Sequence, residues 1–133
     1  MSKPVILCVD DEKVVLQSLK AQIKEHFGNA YSYELAENAE DALEVIDELI
    51  EEETQIILIV SDWLMPGMKG DELLIEIHQK FPNTVKIMLT GQADEEAVQR
   101  AVREANLHRC LRKPWSETEL IETLQSGIAE LST

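Results

Sequence analysis

Short apolar runs alternate with helix-period stretches along this chain. Val5 to Val9 is continuously apolar and stops at Asp10-Asp11-Glu12. Val15, Leu16, Leu19, Ile23 and Phe27 then recur at the spacing of one helix face, closed by Gly28-Asn29. Tyr31, Tyr33 and Leu35 alternate with polar residues, as a half-buried strand does. Asn38 precedes a helical pattern of Ala42, Leu43, Ile46, Leu49 and Ile50, and the acidic run Glu51 to Glu53 reads as its end or a loop. Ile56 to Val60 is a third apolar run, ending at Ser61-Asp62, with a turn at Pro66-Gly67. Leu73, Leu74, Ile77 and Phe81 mark a third helix, which Pro82 terminates. Val85 to Leu89 leads to Thr90-Gly91, and a fourth helix spans about Glu95 to Ala105. Leu107 to Leu111 is a shorter fifth run that ends at Lys113-Pro114. Ser116-Glu117-Thr118-Glu119 forms a capping box ahead of a last helix through Leu120, Ile121, Leu124, Ile128 and Leu131.

The pattern is five strand–helix units. Runs one, three and four lack alternation, so the spacing predicts strands buried on both faces, and the more polar second run suits an edge. Right-handed crossovers then give an α/β fold, a doubly wound parallel sheet of five strands with five helices. The order 2-1-3-4-5 is the common five-stranded solution. In such sheets ligands bind beyond the carboxyl ends of the strands, at the point where strand order reverses. Here strand 1 ends in Asp10 and Asp11, strand 3 in Asp62, strand 4 in Thr90 and strand 5 in Lys113. Asp10 or Asp11 alone reads equally well as a helix cap. Capping does not account for Asp62, Thr90 and Lys113 at the other strand ends. Three carboxylates at one mouth repel one another unless a cation joins them, and oxygen-only ligands with open water positions suit Mg²⁺.

Composition narrows the function. The 133 residues fit one domain spanning residues 1–133, and the formal charge of −14 argues against a nucleic-acid or anionic-membrane binder. The hydrophobic fraction of 44% argues against disorder. No apolar stretch is long enough to span a bilayer, and the N-terminus lacks a signal peptide's long apolar region. Cys8 and Cys110 have no CxxC spacing and read as free buried thiols of a cytoplasmic protein. His26, His78 and His108 read as surface or partly buried residues.

Four segments stand out: Val9-Asp10-Asp11-Glu12, Ser61-Asp62-Trp63-Leu64-Met65-Pro66-Gly67-Met68-Lys69-Gly70, Ile87-Met88-Leu89-Thr90-Gly91 and Leu111-Arg112-Lys113-Pro114-Trp115. In this order and spacing, from Val5 to about Leu131, the chain resembles the receiver domain of two-component response regulators. The resemblance implies that Asp62 is the phosphoacceptor, charged by a histidine kinase or phosphotransfer protein. It implies Asp11, Asp62 and the Leu64 backbone carbonyl as Mg²⁺ ligands, with Asp10 in the outer shell. Lys113 would pair with Asp62 and later with a phosphoryl oxygen, Thr90 would bond another, and Gly91 would leave room for the group. It implies a cis Lys113–Pro114 bond, and it puts Trp63 at the rim, where its fluorescence would report metal binding. Trp115 reads as loop packing.

Two departures from the family pattern matter. Cys110 stands where the family usually has Tyr or Phe, and a small thiol cannot report the site's state by filling or vacating an aromatic pocket. Leu64 cannot hydrogen-bond an attacking water, which favours slow autodephosphorylation. All four arginines, Arg100, Arg103, Arg109 and Arg112, fall with Lys113 in one window that holds a single acid, Glu104. That window reads as a solvated face, or as a partner face built from helix 4, strand 5 and helix 5 and carrying Arg100, Arg103, Cys110 and Arg112. The output domain or protein stays open, as does a stand-alone receiver against one cut from a longer regulator. Other classes fit less well. A haloacid-dehalogenase-type phosphatase needs an aspartate where Leu64 stands, and a flavodoxin-like protein needs a phosphate loop where Asp10-Asp11-Glu12 would repel the ligand. A degenerate, unphosphorylated receiver acting as an interaction module is the remaining alternative.

Overall fold

A computed structural model of the chain describes residues 3–91 and 95–131. Five strands, β1 (Val5–Val9), β2 (Ser32–Ala36), β3 (Ile56–Asp62), β4 (Val85–Thr90) and β5 (Arg109–Arg112), form one parallel sheet in the order β2-β1-β3-β4-β5. The helices are α1 (Lys13–Phe27), α2 (Ala39–Glu51), α3 (Gly70–Lys80), α4 (Glu95–Ala105) and α5 (Glu117–Glu130). This is the expected receiver-type, doubly wound arrangement.

Strand alternation divides the core into two layers. Val5, Leu7 and Val9 of β1, with Ile59 and Met88, pack against α2, α3 and α4. Ile6 and Cys8, with Leu58, Val60, Ile87, Leu89 and Leu111, pack against α1 and α5. β1 and β4 are buried along their whole length, as runs without alternation predict. β2 is a half-buried edge strand, in keeping with its alternation. It begins at Ser32, however, so Tyr31 lies outside it, and β5 begins at Arg109 rather than at Leu107.

The helix ends show which local signals act. The Asn38 side chain accepts from the Asp41 N–H at 2.7 Å and starts α2. Gly28 has φ of 60° and stops α1 in a single 3₁₀ turn, Gly28–Ala30. α3 ends one residue short of Phe81, whose N–H closes on the Ile77 carbonyl. Of the expected capping box on α5, Ser116 Oγ accepts from the Glu119 N–H at 3.0 Å, and the return bond from the Glu119 carboxylate is absent among the described residues.

One residue of β4 departs from its apolar surroundings. Lys86 is only 1% exposed, on the α3 side of the sheet with Met88. Its Nζ donates to the Thr84 carbonyl at 2.7 Å and the Pro82 carbonyl at 3.4 Å. Burial pulls its pKa down from the ordinary 10.5 to about 8. The unfolded chain therefore keeps this proton to higher pH than the folded one, so stability rises as pH climbs from about 8 to 10.5. The Lys86→Met variant is expected to be more stable than wild type at pH 7 by about 2 kcal/mol, after discounting the lost hydrogen bonds. Urea denaturation at pH 7 and pH 10.5 checks this, and a gain that persists unchanged at the higher pH contradicts it.

Candidate functional site

The carboxyl ends of β1, β3, β4 and β5 bring the polar strand ends to one mouth. Asp10, Asp11 and Asp62 each offer a carboxylate oxygen, and these oxygens lie within 4.8 Å of one another. Lys113 follows β5 and reaches across, its Nζ 2.8 Å from Asp10 Oδ2 and 3.2 Å from Asp62 Oδ1. The expected pairing with Asp62 is thus present, but the closer partner is Asp10. The other Asp10 oxygen, Oδ1, accepts from the Glu12 N–H at 2.9 Å. Asp10 is fully buried with both oxygens engaged, which explains why it does not open on the cleft. Asp11 is exposed and points its charge at the solvent side of the cluster.

A cleft of about 560 Å³ opens over these groups, lined in part by Asp11, Asp62, Leu64, Gly91 and Lys113. The Leu64 side chain is 48% exposed there, so no carboxyl stands two residues after Asp62. Among the described residues, a Cβ at Gly91 would meet nothing within 4 Å. Thr90 is buried at the end of β4, and its carbonyl accepts from the Lys113 N–H at 2.9 Å. The Lys113–Pro114 bond is cis, as expected.

The electrostatics follow from this crowding. Burial pushes the Asp62 carboxyl up from 3.8 to about 6, repulsion from Asp10 and then Asp11 adds to it, and Lys113 offsets only part. For Lys113, burial disfavours the ammonium. The hydrogen bond to Asp10 and the charges of Asp62 and Asp10 outweigh it, so its pKa is raised. The cluster holds more negative charge than one ammonium neutralises. Hard oxygen donors at this spacing, with the outermost open to water, suit a small divalent cation such as Mg²⁺.

Other expectations are corrected by the geometry. Trp63 is buried rather than at the rim, its Nε1 donating to Asp71 Oδ1 at 3.1 Å, with Lys69 Nζ 5.2 Å above the ring. Cys8 is fully buried, and burial pushes its thiol up to about 12, but Cys110 is only half-buried. Burial also raises the Cys110 pKa, against a lowering by Arg112. Trp115 does pack in its loop, donating to Gln22 Oε1 at 2.8 Å. His26 and His108 are tied to Gln125 and Ser126, each at 2.8 Å, and His78 is partly buried. Arg100 is not simply solvated: it pairs with Asp71 at 3.5 Å and with Glu104 at 3.0 Å. The Asp71 contacts had no signal in the sequence beyond an acid in a helix's first turn.

Residues 6–125 match the family described as the response regulator receiver domain. The chain belongs to that family. A receiver domain of an HD domain-containing protein from Pseudomonas fluorescens Pf-5 superposes with a TM-score of 0.86 at 32% identity, covering 98% of each chain. A CheY-like receiver domain protein from Methanospirillum hungatei JF-1 gives 0.84 at 33% identity, again over 98% of both. Among curated relatives, the hydrogenase transcriptional regulatory protein HoxA of Cupriavidus necator is 29% identical over 123 residues, 92% of this chain. The match covers 24% of HoxA, so the receiver spans about a quarter of that relative's length. No helix among the described residues is long and apolar enough to cross a membrane.

Proposed function

We propose that this receiver, read as one domain over residues 1–133, is a phosphorylation-controlled switch with Asp62 as its acceptor. The observation that carries this is the convergence of Asp10, Asp11, Asp62 and Lys113 at the mouth of the sheet. Asp62 is the aspartate that both lines the cleft and contacts Lys113. An Asp62 oxygen attacks the phosphorus of a phosphohistidine on a histidine kinase or phosphotransfer protein. The new O–P bond forms as the P–N bond breaks, and the imidazole leaves. Asp11, Asp62 and the Leu64 backbone carbonyl would hold Mg²⁺, with Asp10 behind them. The ion supplies charge neutralisation at the moving phosphoryl oxygens. Lys113 shifts from Asp62 towards one phosphoryl oxygen, Thr90 donates to another, and Gly91 leaves the group room. The only chemistry is the domain's own phosphorylation and dephosphorylation, which biases two conformers with different affinity for an output partner. The arginine-bearing α4, β5 and α5 face, with Arg100, Arg103, Cys110 and Arg112 on it, is the surface proposed to meet that partner in the cytoplasm.

Incubating wild type and Asp62→Asn with Mg²⁺ and a small phosphodonor tests this by intact mass. Wild type is expected to gain one phosphoryl group and the variant none. A gain that persists in Asp62→Asn refutes the acceptor, and no gain in wild type makes this a degenerate receiver. The exposed Leu64 side chain gives a second expectation. Asn at that position can orient a water towards the acyl phosphate, so Leu64→Asn is expected to lose phosphate about tenfold faster than wild type. An unchanged decay of the phosphorylated mass contradicts it.

A further inference from the structure

The residue that follows the acceptor is wired away from the cleft, towards α4. Trp63 Nε1 donates to Asp71 Oδ1 at 3.1 Å, and Asp71 Oδ2 pairs with Arg100 Nη1 at 3.5 Å. Arg100 Nε reaches Glu104 Oε2 at 3.0 Å, one turn further along α4. Trp63 and Asp71 are buried, and the Arg100 side chain is half exposed. Asp71 sits in the first turn of α3, where the helix's free amides favour a carboxylate. Its two oxygens are thus committed to partners from two different elements. Trp63 itself is held at both ends of its backbone: its N–H donates to the Leu89 carbonyl, and its carbonyl accepts from the Gly70 N–H, each at 2.8 Å. The indole therefore moves with the strand end that carries Asp62.

We propose that Asp71 and Arg100 are positioning residues that couple occupancy of the Asp62 site to the placement of α4. This rests on the phosphoacceptor reading above. The Asp71 carboxylate is held directionally by the indole N–H and electrostatically by the guanidinium, so a shift of Trp63 that carries Asp71 with it alters the Arg100 ion pair and with it α4. On β5, Cys110 is paired with Met88, and its side chain is too short to make a comparable link to α4. The linkage joins the acceptor to the helix that bears the first two arginines of the basic window.

The experiment uses a Trp115→Phe background, so that emission reports Trp63 alone. Into it go Asp71→Asn, Arg100→Gln and Arg100→Lys. Mg²⁺ with beryllofluoride, a phosphoryl mimic on carboxylates, is the probe. Its binding is followed by Trp63 emission and by fluorine NMR, and α4 by amide hydrogen exchange over residues 95–105. The background is expected to bind the probe and change exchange along α4. Asp71→Asn and Arg100→Gln are expected to bind it still, with the α4 response reduced about fivefold or more. Arg100→Lys, which keeps a cation opposite Asp71, is expected to restore much of it. Faster α4 exchange before the probe, with the response to it intact, is a merely structural effect and overturns the coupling. So does a background whose α4 does not respond to bound probe. A background that binds no beryllofluoride overturns the acceptor reading, and this inference with it. Should Asp71→Asn fail to fold, Arg100→Gln decides, since its side chain is half exposed.

Discussion

Replacing Asp62 by asparagine is expected to stabilise the metal-free protein at pH 7 by about 2 kcal/mol, and the gain is expected to vanish near pH 4. Burial first, and then repulsion from Asp10 and Asp11, lift this carboxyl from 3.8 to about 6 despite Lys113. Between those values the unfolded chain releases the proton while the folded chain keeps it. Stability therefore falls as pH rises through the window, and the deficit is complete above about 6. Two pKa units correspond to about 3 kcal/mol, already net of Lys113, and the buried amide that asparagine leaves incompletely hydrogen-bonded reduces the gain to about 2. Denaturation in urea with a chelator, at pH 7 and pH 4, measures it. Equal stability of the two proteins at pH 7 contradicts the assignment of strain to this carboxylate. Added Mg²⁺ is expected to reverse the order, because a ligand that binds only the folded state stabilises in proportion to its affinity, and the variant lacks a charged ligand. The same titration implies that metal uptake and phosphorylation decline as pH falls below about 6.

Gly70→Ala is expected to damage fold and site together. Gly70 is the first residue of α3, and its N–H donates to the Trp63 carbonyl at 2.8 Å. A Cβ there collides with the Asp62 carbonyl oxygen and sits 2.8 Å from Trp63 Cα. Both are backbone atoms at the acceptor, so no side chain can swing aside. The helix must retreat or the strand end must move, at a cost of about 3 kcal/mol. Because the displaced backbone carries Asp62, phosphoryl uptake is also expected to slow by about a hundredfold. Urea midpoints and intact-mass time courses read the two effects separately. Gly91→Ala is the control for stability, since a Cβ at that position meets nothing within 4 Å among the described residues. A Gly70→Ala protein as stable and as reactive as wild type would mean that the close approach is not rigid.

The sheet was legible because its inner strands are buried on both sides. Val5–Val9 and Val85–Thr90 must then be almost wholly apolar, and such runs are hard to mistake. The site was legible because strand ends in this topology face one mouth, and chemistry there has to break the apolar pattern abruptly. Lys86 was not legible, since a long stem with a terminal amine fits within an apolar run by reaching past the strand end to carbonyls. The preference of Lys113 for Asp10 over Asp62 depends on a few tenths of an ångström, which no spacing rule contains. Trp63 was misplaced because a residue beside a functional one says nothing about which way its ring turns. Asp71 and Arg100 meet only through tertiary packing of α3 on α4, and each alone reads as an ordinary helix charge.

The acids around the cleft also act before anything is bound. Asp11 and Glu12 open on it, and Asp11 shares an adjoining hollow with Glu37 and Glu40. A diffusing divalent cation runs down that gradient, whereas a small anionic phosphodonor must climb it. The field thus favours an order of arrival, metal before donor, without any gate. At physiological ionic strength it reaches only about 8 Å, so a donor delivered on a docked protein surface crosses most of the distance before the repulsion is felt.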